Sequence, residues 1–183
     1  MVIKRSAWKS FTIGLLVAGI LWLSPSVARG SEETEVRAVV QQVFQQLKSH
    51  DYAGVYDYLP STTRNRMSRE RFVNALKRAQ DRYELDRINI GPVRVSGNVA
   101  VADTELYGRL TKPFEAEGKI VVQQYLVRED GKWRVATGDQ PAVKRFLAQN
   151  PAFSKGFKIR PPRIYVKQNG TWVEFNPPRG NKR

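Results

Sequence analysis

Asp103 and Glu105 stand two apart in "VAVADTELYGRL" (99–110), whose alternation predicts a β-strand, so both carboxylates share a face with Tyr107. Carboxylates on the wall of a desolvated pocket have raised pKa values and serve as general acids or bases. On a wet face the same pair is ordinary, balanced by Arg109, and the sequence favours that reading. His50, the sole histidine, is the natural acid–base partner, yet it stands where a helix ends, a usual place for a polar cap. With no Cys, disulfides and thiolate metal sites are excluded, and a zinc site would need mostly carboxylate ligands. No Gly-rich phosphate loop, nucleophile elbow or zinc spacing occurs, and no cofactor is implied. The catalytic candidates reduce to Asp103, Glu105 and His50, a thin set that favours a non-enzymatic role.

The elements that must position them follow from periodicity. Ser31 can N-cap a helix with Glu32, Glu33 and Glu35 in its first turn, where the macrodipole favours acids. Val36, Val39, Val40, Val43, Phe44 and Leu47 then form one apolar stripe, predicting an amphipathic helix over about 32–49. "DYAGVYDYLP" (51–60) reads as a short second helix stopped by Pro60, and "STTRNRM" as a loop. Ser68 is a plausible N-cap for a third helix with Phe72, Val73, Leu76 and Ala79 on its apolar face and Tyr83 at its end. The period then changes to two. "INIGPVRVSG" alternates around Gly91-Pro92, which predicts a bulge or an edge strand, and further strands follow over 99–110 and from 115 onward. Helices followed by antiparallel strands predict an α+β domain with the helices packed on one face of a curved sheet.

Two hairpins look alike: "YLVREDGKWRVA" (125–136) and "IYVKQNGTWVEF" (164–175). Asp-Gly and Asn-Gly are the signature of two-residue type I′ turns. With those turns Arg128 faces Trp133 and Leu126 faces Val135, so Leu126, Trp133 and Val135 share an apolar face. In the second, Lys167 faces Trp172, and the apolar face is Ile164, Val166, Val173 and Phe175, with Trp172 on the other side. The hairpins bury opposite sets, which argues for one turn chemistry used twice and not for a duplicated module. The second hairpin needs something to pack on.

"VRAVVQQVFQQLKSHDYAGVYDYLP", a third helix, long strands and a closing "DGKWRVATGD" together resemble the nuclear transport factor 2-like superfamily over roughly residues 33–139. The resemblance implies a cone of helices on a bent antiparallel sheet enclosing a pocket, but no single activity, since the superfamily holds isomerases, dehydratases, transport factors and secretion-system components. In its members similar to ketosteroid isomerase or the polyketide cyclases, pocket acids and tyrosines transfer protons, which would give Asp103 or Glu105 a role. The resemblance places Tyr52, Tyr56, Phe72, Tyr107, Tyr125 and Trp133 in or around a ligand pocket, taking a small apolar molecule or a protein partner. A partner protein or a second copy would dock on the sheet.

The N-terminus speaks to compartment. Lys4, Arg5 and Lys9 precede the uncharged "FTIGLLVAGILWL" (11–23), then Pro25 breaks the helix and Ser26-Val27-Ala28 supplies small residues for signal cleavage after Ala28. An uncleaved anchor over 11–23 is the alternative, though a helix of that length spans about 20 Å against roughly 30 Å of hydrocarbon. The expected organisation is a signal peptide over 1–28, a domain over 29–140 and a basic extension over 141–183, exported to a bacterial periplasm or beyond. Residues 29–140 hold 18 Lys or Arg against 16 acids, while 141–183 hold ten against Glu174 alone. That asymmetry points to an anionic envelope polymer or lipid headgroups meeting Lys155, Lys158, Arg160 and Arg163, which the Pro161-Pro162 pair keeps extended. Nucleic acid is not an expected partner of an exported chain without aromatic-in-basic motifs.

Overall fold

The computed structural model describes residues 25–112, 115–136, 144, 147–148, 151–155 and 160–175. Helix α1 spans Pro25–Lys48 and buries Val36, Val40 and Phe44 from its predicted stripe. The expected N-cap at Ser31 is corrected: the helix runs back to Pro25, and Ser31 lies inside it. Proline is tolerated in a first helical turn. Arg128 then holds the early turns by donating to both Glu32 and Glu35 at 2.9 Å, so those acids bind the sheet instead of a free helix end.

The far end of α1 closes in a Schellman motif. His50 takes a left-handed φ of 61° while its N–H reaches the carbonyl of Leu47 and the next N–H, of Asp51, reaches that of Gln46. Asp51 then caps α2 (Tyr52–Asp57) by accepting from the Gly54 N–H at 2.9 Å. A Cβ on Gly54 would crowd the ends of the Asp51 and Gln46 side chains, so a larger residue there has to displace the cap.

The stretch expected to be a loop contains one helical turn, α3 (Ser61–Arg64). Pro60 enters it with φ −59°, and the Glu129 carboxylate accepts from the backbone N–H and the hydroxyl of Ser61, replacing a local cap. Helix α4 (Arg69–Gln80) starts where predicted, with Ser68 Oγ accepting from the Arg71 N–H. Tyr83, expected at its end, instead opens the first strand.

Strands β1 (Tyr83–Ser96), β2 (Val99–Leu110), β3 (Ala116–Glu129) and β4 (Lys132–Val135) follow as an antiparallel meander. β1 shifts register between Leu85 and Arg87 and again between Ile90 and Val93, the second at the expected Gly91-Pro92. Such bulges bend a strand and release backbone groups from the ladder; Arg37 donates to the Ile90 carbonyl at 2.9 Å, fastening α1 across the bend.

Helix α5 (Pro151–Lys155) leads to β5 (Arg163–Gln168) and β6 (Thr171–Glu174). The sheet order is β1-β2-β3-β5-β6, with β4 also on β3. One long strand serves two hairpins: β3 pairs with β5 along Gly118–Val121 and with β4 along Leu126–Glu129. The second hairpin thus finds its support as a continuation of the same sheet. Both hairpin registers are those read from the turns, with positive φ at Asp130, Gly131, Asn169 and Gly170 as type I′ geometry demands.

The architecture is therefore α+β, helices followed by a bent six-stranded antiparallel sheet. Ala100, Ala102, Leu126, Trp133 and Val135 face Val36 and Val40 of α1 in one core cluster. Val99, Val101 and Tyr125 face the other way and pack with Leu147 and Phe153. The helices that precede the sheet thus pack on one face, and the C-terminal segment covers part of the other.

Candidate functional site

On the helix side the packing is incomplete. α1 offers Val40, Val43, Phe44 and Leu47, the sheet offers Ile88, Leu106, Gln124 and Val135, and α3 and α4 offer Thr63, Phe72 and Leu76; together they surround a cavity of about 890 Å³. The reason shows in α4. Its stripe is that of an amphipathic helix, yet none of its residues is buried: Phe72, set against the Tyr56 ring, and Leu76 line the cavity. Among its described lining residues there is no carboxylate and no imidazole; Tyr58 and Arg66 are the ionisable ones. Such a lining offers apolar surface and a few hydrogen bonds.

Arg66 and Met67 are the exposed members of this lining and mark its mouth. The mouth is pinned from below. The Tyr56 hydroxyl lies 2.9 Å from the Met67 carbonyl and 3.2 Å from that of Arg64. Arg69 lies over the Tyr56 ring at 4.8 Å while pairing with Asp57, and this pairing holds the Asp57 carboxyl below its usual range.

Of the six residues expected at a ligand pocket, Phe72 lines the cavity and Tyr56 supports its mouth. Tyr52 is buried beside it, its hydroxyl 3.4 Å from Gln80 and pushed up in pKa by burial first and then by Tyr83 and Asp81. Trp133 is packed into the core under Arg128, whose guanidinium lies 5.0 Å from the ring. Tyr107 and Tyr125 project from the opposite face of the sheet, on the same parity as Asp103 and Glu105.

That opposite face holds the acid pair, and both of its carboxylates are engaged. Asp103 pairs with Arg160 at 2.5 Å and accepts from Gln123 Nε2 at 3.1 Å. Gln123 is itself a hub, its Oε1 accepting from the Tyr125 hydroxyl at 3.0 Å and from the Arg160 N–H at 2.9 Å. Burial, then the Asp103 charge, raises the Tyr125 hydroxyl, which therefore stays a neutral donor. Glu105 accepts from Tyr107 at 2.7 Å and faces Lys119 at 3.8 Å. The Tyr107 bond, followed by Lys119, lowers the Glu105 pKa despite some desolvation, the reverse of what a general base needs. His50, as the exposed left-handed cap of α1, lines neither this face nor the cavity.

A second cleft of about 650 Å³ lies between these acids and the extension, with Lys119, Arg160, Arg163 and Trp172 around it. Lys119 stands between the rings of Tyr107, Tyr165 and Trp172, all within 6 Å, and so glues the second hairpin to β2 and β3. Of the expected anion-binding residues, Arg160 is committed to Asp103, Arg163 lies 5.8 Å from the Tyr165 ring, Lys155 is exposed on α5, and Lys158 falls outside the described residues. Arg160 finds its acid outside its own segment, in β2. Among the described residues no acidic or His cluster could hold a metal.

Sequence reasoning missed Gln123 and Lys119 as organising groups and Arg66 at the mouth. One signal for the first was present: "IVVQQYLV" (120–127) places two glutamines inside an apolar strand, where polar groups need partners.

No known family model and no curated protein matches the chain. Among solved structures it is similar to one described as a nuclear transport factor 2-like transpeptidase from Campylobacter jejuni, at 14% identity over 56% of this chain and 97% of that one, TM-score 0.38. It is also similar to an LEH-like epoxide hydrolase from M. tuberculosis, at 18% identity over 69% of this chain and 99% of that one, TM-score 0.37. Both have the fold that the sequence resembles, and neither likeness bears on activity.

Proposed function

We propose that this chain is an exported, non-enzymatic binding protein whose helix-side cavity takes a small apolar ligand and whose basic C-terminal segment meets anionic envelope polymers or lipid headgroups. The observation that carries the reading is the cavity itself. Its volume of about 890 Å³ falls in the range of small-molecule sites, and its aliphatic walls gain about 0.8 kcal/mol for each methylene of ligand they take out of water. The α4 stripe supports it, since apolar side chains left half-exposed over a void find their burial partner in a ligand. The cone-enzyme alternative has no observation in its favour: Asp103 and Glu105 lie on the far side of the sheet and are held by Arg160, Tyr107 and Lys119. Among the described residues no helix is long and apolar enough to cross a membrane, while residues 11–23 lie outside them.

The test is saturable binding of N-phenyl-1-naphthylamine, a neutral apolar fluorophore, by the wild type and by Val43→Trp, which puts an indole into the cavity. Enhanced, blue-shifted emission in the wild type and at least tenfold weaker binding in Val43→Trp, with the circular dichroism spectrum unchanged, is expected. Absence of saturable binding, or equal binding by a folded Val43→Trp protein, refutes the reading.

A further inference from the structure

We infer that the ligand of this cavity is a neutral apolar molecule carrying an alcohol or ketone oxygen, and that the Gln124 amide is the hydrogen-bonding partner of that oxygen. The inference rests on the cavity reading above and adds the chemical class of the ligand.

β3 holds two adjacent glutamines, which point to opposite faces of the sheet. Gln123 commits its amide to Asp103, Tyr125 and Arg160 on the outer face. Gln124 turns inward and lines the cavity, half-buried. Among the described residues nothing hydrogen-bonds its side chain. The neighbours on its own face give the reason. Val122 and Leu126 flank it along β3, and Ala102 stands opposite it on β2, too small to reach over it. Thr104, diagonally across, has already turned its hydroxyl to the Val122 carbonyl at 2.9 Å.

An amide set among aliphatic side chains costs free energy until a partner restores the hydrogen bonds it made in water. A lone water is a poor partner here, since an ordered water needs several polar contacts and the adjacent face supplies little beyond the amide. A ligand oxygen arrives attached to an apolar frame, so one molecule satisfies both the amide and the walls. The amide also sets the class of that oxygen. It donates through nitrogen, accepts through oxygen and carries no charge, which suits a hydroxyl or a carbonyl on an uncharged molecule. Arg66, also in the lining, already has an interaction within the fold. Thr63 and Tyr58 add hydroxyls from α3 and the end of α2, groups that rotate to suit a neighbour or solvent. Gln124 instead stands on a central strand, where ladder bonds to β2 fix the backbone beneath it and lower the ordering cost of binding.

The experiment is displacement of N-phenyl-1-naphthylamine at pH 7 by indane, 2-indanol and 1-indanone, molecules of one frame that differ in their oxygen. Wild type, Gln124→Leu and Gln124→Met proteins are compared, the second variant keeping the length of the side chain without its amide. The affinity of 2-indanol or 1-indanone relative to indane is expected to fall about tenfold from the wild type to either variant, the effect of a hydrogen bond left unmade in an apolar site. Indane itself should bind the variants as well as the wild type or more tightly, with circular dichroism spectra unchanged. Unchanged ratios for both oxygenated molecules, whether all the affinities fall together or none does, overturn the inference. If the fluorophore binds but none of these molecules displaces it, this inference fails and the cavity reading stands; if the fluorophore does not bind, both fail.

Discussion

Gln123→Leu is the sharpest test of how the C-terminal segment is held. Gln123 is 4% exposed and accepts from the Tyr125 hydroxyl and the Arg160 N–H while donating to Asp103, so one side chain joins β2, β3 and the segment before β5. Leucine keeps most of the volume and removes these bonds. Arg160 is an exposed residue, so its backbone N–H can turn to water, and Asp103 keeps the guanidinium. The Tyr125 hydroxyl, on a residue 5% exposed, loses its bond to Gln123, a loss of about 1–3 kcal/mol. Adding a net contribution of about 0.5–1.5 kcal/mol for the lost bond to Asp103 gives a destabilisation of about 3 kcal/mol, or about 6–12 °C in Tm for a chain of this size. Thermal unfolding by circular dichroism reads the shift, and limited trypsin digestion should release the chain beyond Arg160 faster than in the wild type. Gln124→Leu is the control. Its side chain faces the cavity on the other side of the sheet, and the change should leave Tm within about 2 °C while altering fluorophore binding. A Gln123→Leu protein that melts within 1 °C of wild type, with an unchanged digestion pattern, refutes the claim that this hub docks the segment.

Four further outcomes are expected. His50→Gly should raise stability by about 0.5–1 kcal/mol, because relief of left-handed strain at φ 61° exceeds the entropy glycine adds to the unfolded chain, and ligand binding should not change; a lower Tm contradicts the cap assignment. The lowered Glu105 pKa means its contribution is fully present above the unfolded value near 4.5 and is lost as pH falls through the lower folded value. The urea midpoints of wild type and Glu105→Gln should therefore differ slightly at pH 7 and converge in acid, whereas a gap that widens in acid reverses the sign. Replacing Lys155, Lys158 and Arg163 with Ala should weaken binding to vesicles of phosphatidylglycerol and phosphatidylcholine by up to about a hundredfold at low salt with little change in Tm, and equal binding removes the anionic-surface proposal. Mass spectrometry of the secreted native protein should find the N-terminus at Arg29 or Ser31; an intact Met1 on a membrane-bound form shows that the segment is retained.

Local signals carried the strands and their partners. Asp130-Gly131 and Asn169-Gly170 admit one tight turn type, and from each the pairing of both hairpins follows by counting, down to Arg128 opposite Trp133. Ser68 marked the start of α4 because a hydroxyl that accepts from the N–H three residues on is a purely local device. Alternation likewise put Asp103, Glu105 and Tyr107 together on a face. It did not say which face met the helices, because parity assigns companions and leaves the choice of side to packing between distant segments. The resolution came from Ala100 and Ala102, small enough to let α1 approach, so the acids turned away from the cavity. The backward run of α1 through Ser31 depended on Arg128, some ninety residues on in the chain, and the fate of Arg160 depended on an acid in β2. The cavity was the least legible feature of all. Phe72, Val73, Leu76 and Ala79 form the stripe of an ordinary core helix, and whether such a stripe meets a wall or a void depends on how far the bulges at Leu85 and Gly91 carry the sheet away from it. That distance is set by the sum of all the contacts across the fold and is written in no single stretch of it.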